Sequence, residues 1–215
     1  MPVAVIFDVD GVLADTHHAM WLGCNKVFEV HGGNAPATPR DFLSTVCTPF
    51  GKFYRERGAV GSDDEFTKTY FSVADHDGSP LFADVRMILP QLYRRGIIMG
   101  IISGHKQTSL RERFRQVQLD GYFRSIVGDT HDKVGAMQSF SSSHGVPPER
   151  VYYVGDLISD VRDAREAGIV PVGITRDSGT GPALLAAGAT HCIDHLADLL
   201  SIVSQANAKS GSLVS

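Results

Sequence analysis

Positive charge is not in excess in this sequence: 20 Lys and Arg stand against 24 Asp and Glu among 215 residues, a formal net charge of −4. Such a chain has no general attraction for nucleic acid or for an acidic lipid surface, so an anionic ligand must be held by a local site. Cysteine is scarce as well. Cys24, Cys47 and Cys192 are too few and too widely spaced for a disulfide framework or a zinc cluster, and buried free thiols are expected. Long hydrophobic runs are missing too, since no segment approaches the roughly 20 apolar residues that span a bilayer, and no membrane association is expected. At the amino terminus no basic segment precedes the short apolar run at 3–7, which Asp8 interrupts, so no secretory signal is read and the cytoplasm is the expected compartment. Hydrophobic residues at 43% and charged residues at 20% match an ordinary globular protein, which argues against extensive disorder or a fibrous repeat. At roughly 150 residues per domain, the length fits one large domain or a domain carrying an insertion.

What the sequence does contain is a rhythm. Short apolar runs bounded by Gly, Asp or Ser recur at 3–7, 97–102, 125–127, 151–154 and 169–174. Continuous runs of this length read as strands buried on both faces, the signature of a parallel sheet covered by helices. Helical patterns at 84–95, 106–119, 133–144, 159–167 and 182–187 lie between them, and Gly96 is a stop signal for the first. Pro90 within that first helix removes a backbone donor and predicts a kink or break. The alternation implies an α/β fold, a doubly wound, Rossmann-like parallel sheet with right-handed crossovers.

Residues 17–82 interrupt the rhythm. Met20, Trp21, Cys24, Val27 and Phe28 form a helical stripe, and Ser62 with Glu65 forms a capping box ahead of a helix over 66–74. This segment reads as a mainly α-helical cap inserted into a core made of 1–16 and 83–205. The tail, 206–215, rich in Ser, Ala and Gly, is expected to fray.

The chemistry gathers at strand ends. Asp8 ends the first apolar run, Asp10 follows two positions later, and Gly11 lets the backbone turn both carboxylates toward one pocket. Ser103 and Gly104 end the run at 97–102 and offer a hydroxyl and a backbone amide to phosphoryl oxygens. Lys133 opens a helix and brings a cation for a carboxylate nucleophile and a phosphoryl group. Asp156 and Asp160, four positions apart after 151–154, supply hard oxygen ligands suited to Mg²⁺.

Four such strand ends, in this order and separated by an inserted cap, resemble the haloacid dehalogenase superfamily of phosphatases over nearly the whole chain. Asp8 and Asp10 resemble its first motif, Ser103 its second, Lys133 its third, and Asp156 with Asp160 its fourth. Val134 follows Lys133 where many members carry proline, a residue that there sets backbone direction. The resemblance implies that Asp8 attacks phosphorus to form an aspartyl-phosphate and that Asp10 serves as acid and then base. It implies Mg²⁺ held by Asp8, the Asp10 backbone carbonyl and Asp156, with Asp160 holding Lys133 in place. Asp10 argues against the dehalogenase and phosphonate-cleaving branches. Phosphate-ester hydrolysis remains, with a sugar-phosphate mutase, or a phospho-acceptor module without turnover, as the alternatives. The cap position implies a small phosphorylated metabolite as substrate for a monomer or homodimer. His17, His18, Lys52 and Arg55 are the cap residues that could meet the leaving group, and the segment 48–52, with Gly51, has the character of a loop reaching into the pocket. Trp21, Phe28, Phe50, Phe53 and Phe71 are expected to pack the cap.

Overall fold

The structure, a computed structural model, describes residues 1–130 and 132–211, with side chains described through Ala206. Six short strands form one parallel sheet: β1 (Ala4–Phe7), β2 (Ile98–Ile102), β3 (Ser125–Val127), β4 (Val151–Gly155), β5 (Val170–Ile174) and β6 (His191–Ile193). Their spatial order is β3-β2-β1-β4-β5-β6. β1 therefore lies mid-sheet, with Phe7 opposite Ile101 on one side and Val154 on the other. Chain order reverses across β1, and ligands of open α/β sheets bind at the carboxyl ends of the strands beside such a reversal.

The strand alternation divides the apolar residues between two cores. Val3, Val5 and Phe7 face α5 (Val85–Arg94) and α6 (Gln107–Gln116), where Ile88, Leu89, Leu92, Leu110 and Phe114 are buried. Ala4 and Ile6 face α7 (Lys133–His144) and α8 (Ile158–Glu166), packing with Met137, Phe140 and Ala164. The helix α5 runs unbroken through Pro90, contrary to a break there. Its four buried apolar side chains, each worth about 1.5–3 kcal/mol, outweigh the ~3 kcal/mol that an interior proline costs. Gly96, at φ 71°, ends the turn as its sequence position suggested.

After α9 (Gly181–Ala187) and β6, the helix α10 (Leu199–Gly211) continues through the segment expected to fray. Leu199 and Val203 anchor it in the first core, which is why a Ser- and Ala-rich sequence remains helical there; 212–215 lie outside the described residues. The short run that forms β6 carries too little apolar signal to be read in advance.

Between β1 and α5 stand four helices: α1 (His17–His31), α2 (Pro39–Thr45), α3 (Phe50–Glu56) and α4 (Asp63–Phe71). They enclose a core of their own, built from Met20, Cys24, Val27, Phe28, Phe42, Phe53, Tyr54 and Phe66, with Leu157 of the sheet domain packed against it. The Ser62–Glu65 capping box opens α4, with the Ser62 hydroxyl accepting from the Glu65 amide at 3.3 Å. Phe71 departs from the expected packing: it is 59% exposed, with its ring edge-on to Tyr70 and tilted against His76. All three cysteines are free; Cys24 is buried, and burial pushes its thiol up to about 12, while Cys47 and Cys192 are half-buried. Among the described residues, no helix is long and apolar enough to cross a membrane.

Candidate active site

Asp8 leaves β1 where its amide still donates to the Val154 carbonyl at 3.0 Å, which fixes its backbone beside the end of β4. The next residues wind into a tight loop. The amides of Leu13 and Ala14 both donate to the Val9 carbonyl, and the Gly11 amide donates to the Thr16 hydroxyl at 2.9 Å. Gly11 sits at φ 70°, and a Cβ there would lie 2.2 Å from an Asp156 oxygen. Glycine at position 11 thus lets the loop pass against the Asp156 carboxylate.

Three buried carboxylates, Asp8, Asp156 and Asp160, bring oxygens within 4.8 Å of one another. The Lys133 ammonium, carried on the first residue of α7, donates to Asp8 Oδ2 at 2.6 Å and to Asp160 Oδ1 at 2.7 Å. Asp160 is fixed at its other oxygen, which accepts from the Leu157 amide at 3.1 Å. His17, at the start of α1, places Nε2 3.0 Å from Asp156 Oδ2. Burial pushes the Asp156 and Asp160 carboxyls up, with Asp8 adding to the effect, whereas Lys133 is held well above its ordinary value because Asp160 and Asp8 outweigh its own burial. Three carboxylates against one ammonium leave a concentration of negative charge on hard oxygens. That donor set fits a divalent cation of the Mg²⁺ kind.

Asp10 faces another group of side chains. Its Oδ1 lies 2.9 Å from His76 Nδ1 and its Oδ2 3.4 Å from His105 Nδ1. Burial acts to raise the Asp10 carboxyl, but the hydrogen bonds and charges of both imidazoles outweigh it and hold the group well below the usual carboxylate range. His105 is pushed up to about 9, chiefly by its hydrogen bond with Asp10. Neither histidine was singled out from the sequence. His105 directly follows Ser103-Gly104 at a strand end, a signal that could have been used; His76 lies in an Asp-His-Asp-Gly turn with nothing in its spacing to link it to Asp10.

The remaining candidates divide. Ser103 is buried at the end of β2, its hydroxyl accepting from the His105 amide at 3.3 Å, and Gly104 is exposed beside it. Lys52 and Arg55 lie exposed on α3, where Lys52 pairs with Glu56 at 3.7 Å and Arg55 with Asp63 at 2.6 Å. The structure engages both within the cap instead of at the carboxylates. Gly51 belongs to α3 rather than to a reaching loop, and its close neighbour is the Asp63 carboxylate. His18 is exposed.

The six-stranded order, the helical insertion after β1 and the strand-end carboxylates with their lysine together define a class. Residues 5–174 match the haloacid dehalogenase-like hydrolase family, and the chain belongs to it. It is an enzyme of that family's phosphatase type. Among curated relatives, a phosphoglycolate phosphatase of Synechococcus elongatus is 29% identical over 94% of this chain and 97% of its own. Another, from Vibrio parahaemolyticus, is 21% identical over 93% of this chain and 95% of its own. Of solved structures, a haloacid dehalogenase-like family hydrolase of Streptococcus pneumoniae superposes with a TM-score of 0.75 at 19% identity, covering 94% of this chain and 98% of that one. A beta-phosphoglucomutase-like protein of Thermotoga maritima gives 0.65 at 24%, covering 95% and 99%. Likeness at these identities speaks for the fold.

Proposed function

We propose that the chain is a Mg²⁺-dependent phosphatase that hydrolyses a small phosphorylated metabolite through an aspartyl-phosphate on Asp8. The observation that carries this reading is the meeting of Asp8, Lys133, Asp156 and Asp160 at the strand ends, with Asp10 on the same loop as Asp8. The Asp8 carboxylate forms a bond to phosphorus as the bond to the departing oxygen breaks, and Asp10 gives that oxygen its proton. Water then attacks phosphorus, Asp10 takes the water's proton, and the Asp8–phosphorus bond breaks to release phosphate. The imidazole pair keeps Asp10 ionised before substrate arrives. An anionic phosphoryl group nearby raises the carboxyl, so that Asp10 takes the proton from His105, hydrogen-bonded to it and raised to about 9, and returns a proton to that imidazole once water has been deprotonated. Lys133 neutralises Asp8 and the transferred group, while Asp160 orients Lys133. Mg²⁺, which Asp8, Asp156 and the Asp10 carbonyl would hold, supplies charge neutralisation at the phosphoryl oxygens. The helical cap excludes bulk water and suits a small substrate.

Phosphoglycolate is the first substrate to test, because relatives of near-equal length bear that activity in their names. Phosphate release is measured across a panel of phosphorylated small molecules with Mg²⁺, with EDTA, and in Asp8→Asn. Metal-dependent release that vanishes with EDTA and in the variant is the expected result. Isomerised substrate with little free phosphate would replace the reading with a mutase, and stable phosphorylation of the chain without release would replace it with a phospho-acceptor module.

A further inference from the structure

The donors around Asp10 differ in kind from those around Asp8. The geometry points to a second cation site, formed by Asp10, His76 and His105, that takes a borderline divalent transition ion such as Co²⁺ or Zn²⁺ and inhibits the enzyme when filled. One donor atom from each residue lies within 4.8 Å of the other two. Both imidazoles already present Nδ1 to the carboxylate, at 2.9 and 3.4 Å. An ion bound at about 2.0–2.2 Å to each donor holds neighbouring donors about 3 Å apart, so small side-chain rotations suffice to close the set.

The outer nitrogens give an independent reason. Histidines that ligate metals usually engage their second nitrogen with a carboxylate or another polar group, which fixes the ring and the tautomer. His105 Nε2 lies 2.9 Å from Asp77 Oδ1, and the other Asp77 oxygen accepts from the Ser109 hydroxyl at 3.3 Å. His76 Nε2 lies 2.8 Å from the hydroxyl of Tyr70, a buried residue of the cap. An ion that enters displaces the Nδ1 protons now given to Asp10, and each ring, held through its outward Nε2, then turns an Nδ1 lone pair to the metal. The backbone under His76 is tied down as well: the Arg113 guanidinium donates to the His76 carbonyl at 3.1 Å and to the Ser79 carbonyl. Two fixed rings and a carboxylate are thus assembled before any ion arrives.

Donor chemistry separates the two sites. Two imidazole nitrogens and one carboxylate favour Co²⁺, Ni²⁺ and Zn²⁺, whereas the all-oxygen cluster of Asp8, Asp156 and Asp160 suits Mg²⁺. Inhibition rests on the proposed acid-base role of Asp10, because an ion on its carboxylate blocks proton transfer. Binding itself does not depend on that role.

Co²⁺ is the probe, titrated into the full chain in excess Mg²⁺ and read by visible absorption and by equilibrium dialysis, with phosphate release followed in parallel. One bound Co²⁺ is expected, and His76→Gln or His105→Gln weakens it tenfold or more. Asp77→Asn alters an exposed carboxylate outside both donor sets and is expected to weaken Co²⁺ by about tenfold, with folding checked by circular dichroism. Asp156→Asn leaves Co²⁺ affinity unchanged. Loss of Co²⁺ in Asp156→Asn with retention in the histidine variants, or full displacement by Mg²⁺, overturns the proposal by placing the ion at the oxygen cluster. Co²⁺ bound at the histidines with undiminished phosphate release overturns the inhibition and the acid-base role of Asp10, while the site stands.

Discussion

Replacing Lys133 by methionine tests whether a buried ionic bridge holds the site together. The ammonium joins Asp8 and Asp160 at 2.6 and 2.7 Å, with Lys133 only 11% exposed and Asp160 1%. Methionine preserves much of the apolar stem but leaves two carboxylates facing each other without a counter-charge. Removing one partner of a buried pair costs about 3–5 kcal/mol, which for a domain of this size lowers Tm by roughly 6–20 °C. Urea unfolding in EDTA, followed by circular dichroism at pH 8, measures that loss directly. The deficit should shrink as the pH falls, because burial pushes the Asp160 carboxyl up and a proton then neutralises it. It should also shrink on adding Mg²⁺, which neutralises the same oxygens. Turnover should fall by about 10²–10³, the usual effect of deleting one preorganised electrostatic group. A loss below about 1 kcal/mol, the range of exposed ion pairs, would refute the reasoning by showing that water reaches the bridge.

Gly11→Ala puts a methyl 2.2 Å from an Asp156 oxygen at a backbone φ of 70°, and is expected to cost about 1–2 kcal/mol in urea unfolding and to raise the Mg²⁺ concentration for half-maximal activity. Lys52→Ala and Arg55→Ala, which remove exposed pairs on the cap, should change stability by less than about 1 kcal/mol and leave KM unchanged; a severalfold rise in KM would return them to the substrate site. The bond to Asp10 raises His105 to about 9 in the folded chain, against roughly 6.5 unfolded. Its stabilising contribution is therefore complete below about pH 6.5 and disappears as pH rises through about 9. Unfolding free energies of the wild type and His105→Asn across that window should converge at the alkaline end, and a constant difference would show that the imidazole is not charged.

The sequence by itself determined the parallel α/β sheet and placed Asp8, Ser103 and Asp156 directly after its strands, with Asp10 in the loop after β1 and Lys133 on the first residue of α7. These are legible because continuous apolar runs specify buried strands, and a residue that ends such a run must emerge at the sheet's carboxyl edge. Where a signal depends on packing, it failed: Pro90 did not break α5, and the Ser- and Ala-rich tail continued as a helix, since burial against the sheet overrode local propensity. Only the tertiary structure decided what meets Asp10. His76 lies 66 residues away and His105 95, and neither separation carries any period that would point to a shared carboxylate. The same holds for Lys52 and Arg55, whose charges are spent on Glu56 and Asp63 of their own cap. Side-chain partnership across such distances is set by how the cap's final turn and the loop after β2 come together, which is a property of the folded surfaces and not of any local stretch of sequence.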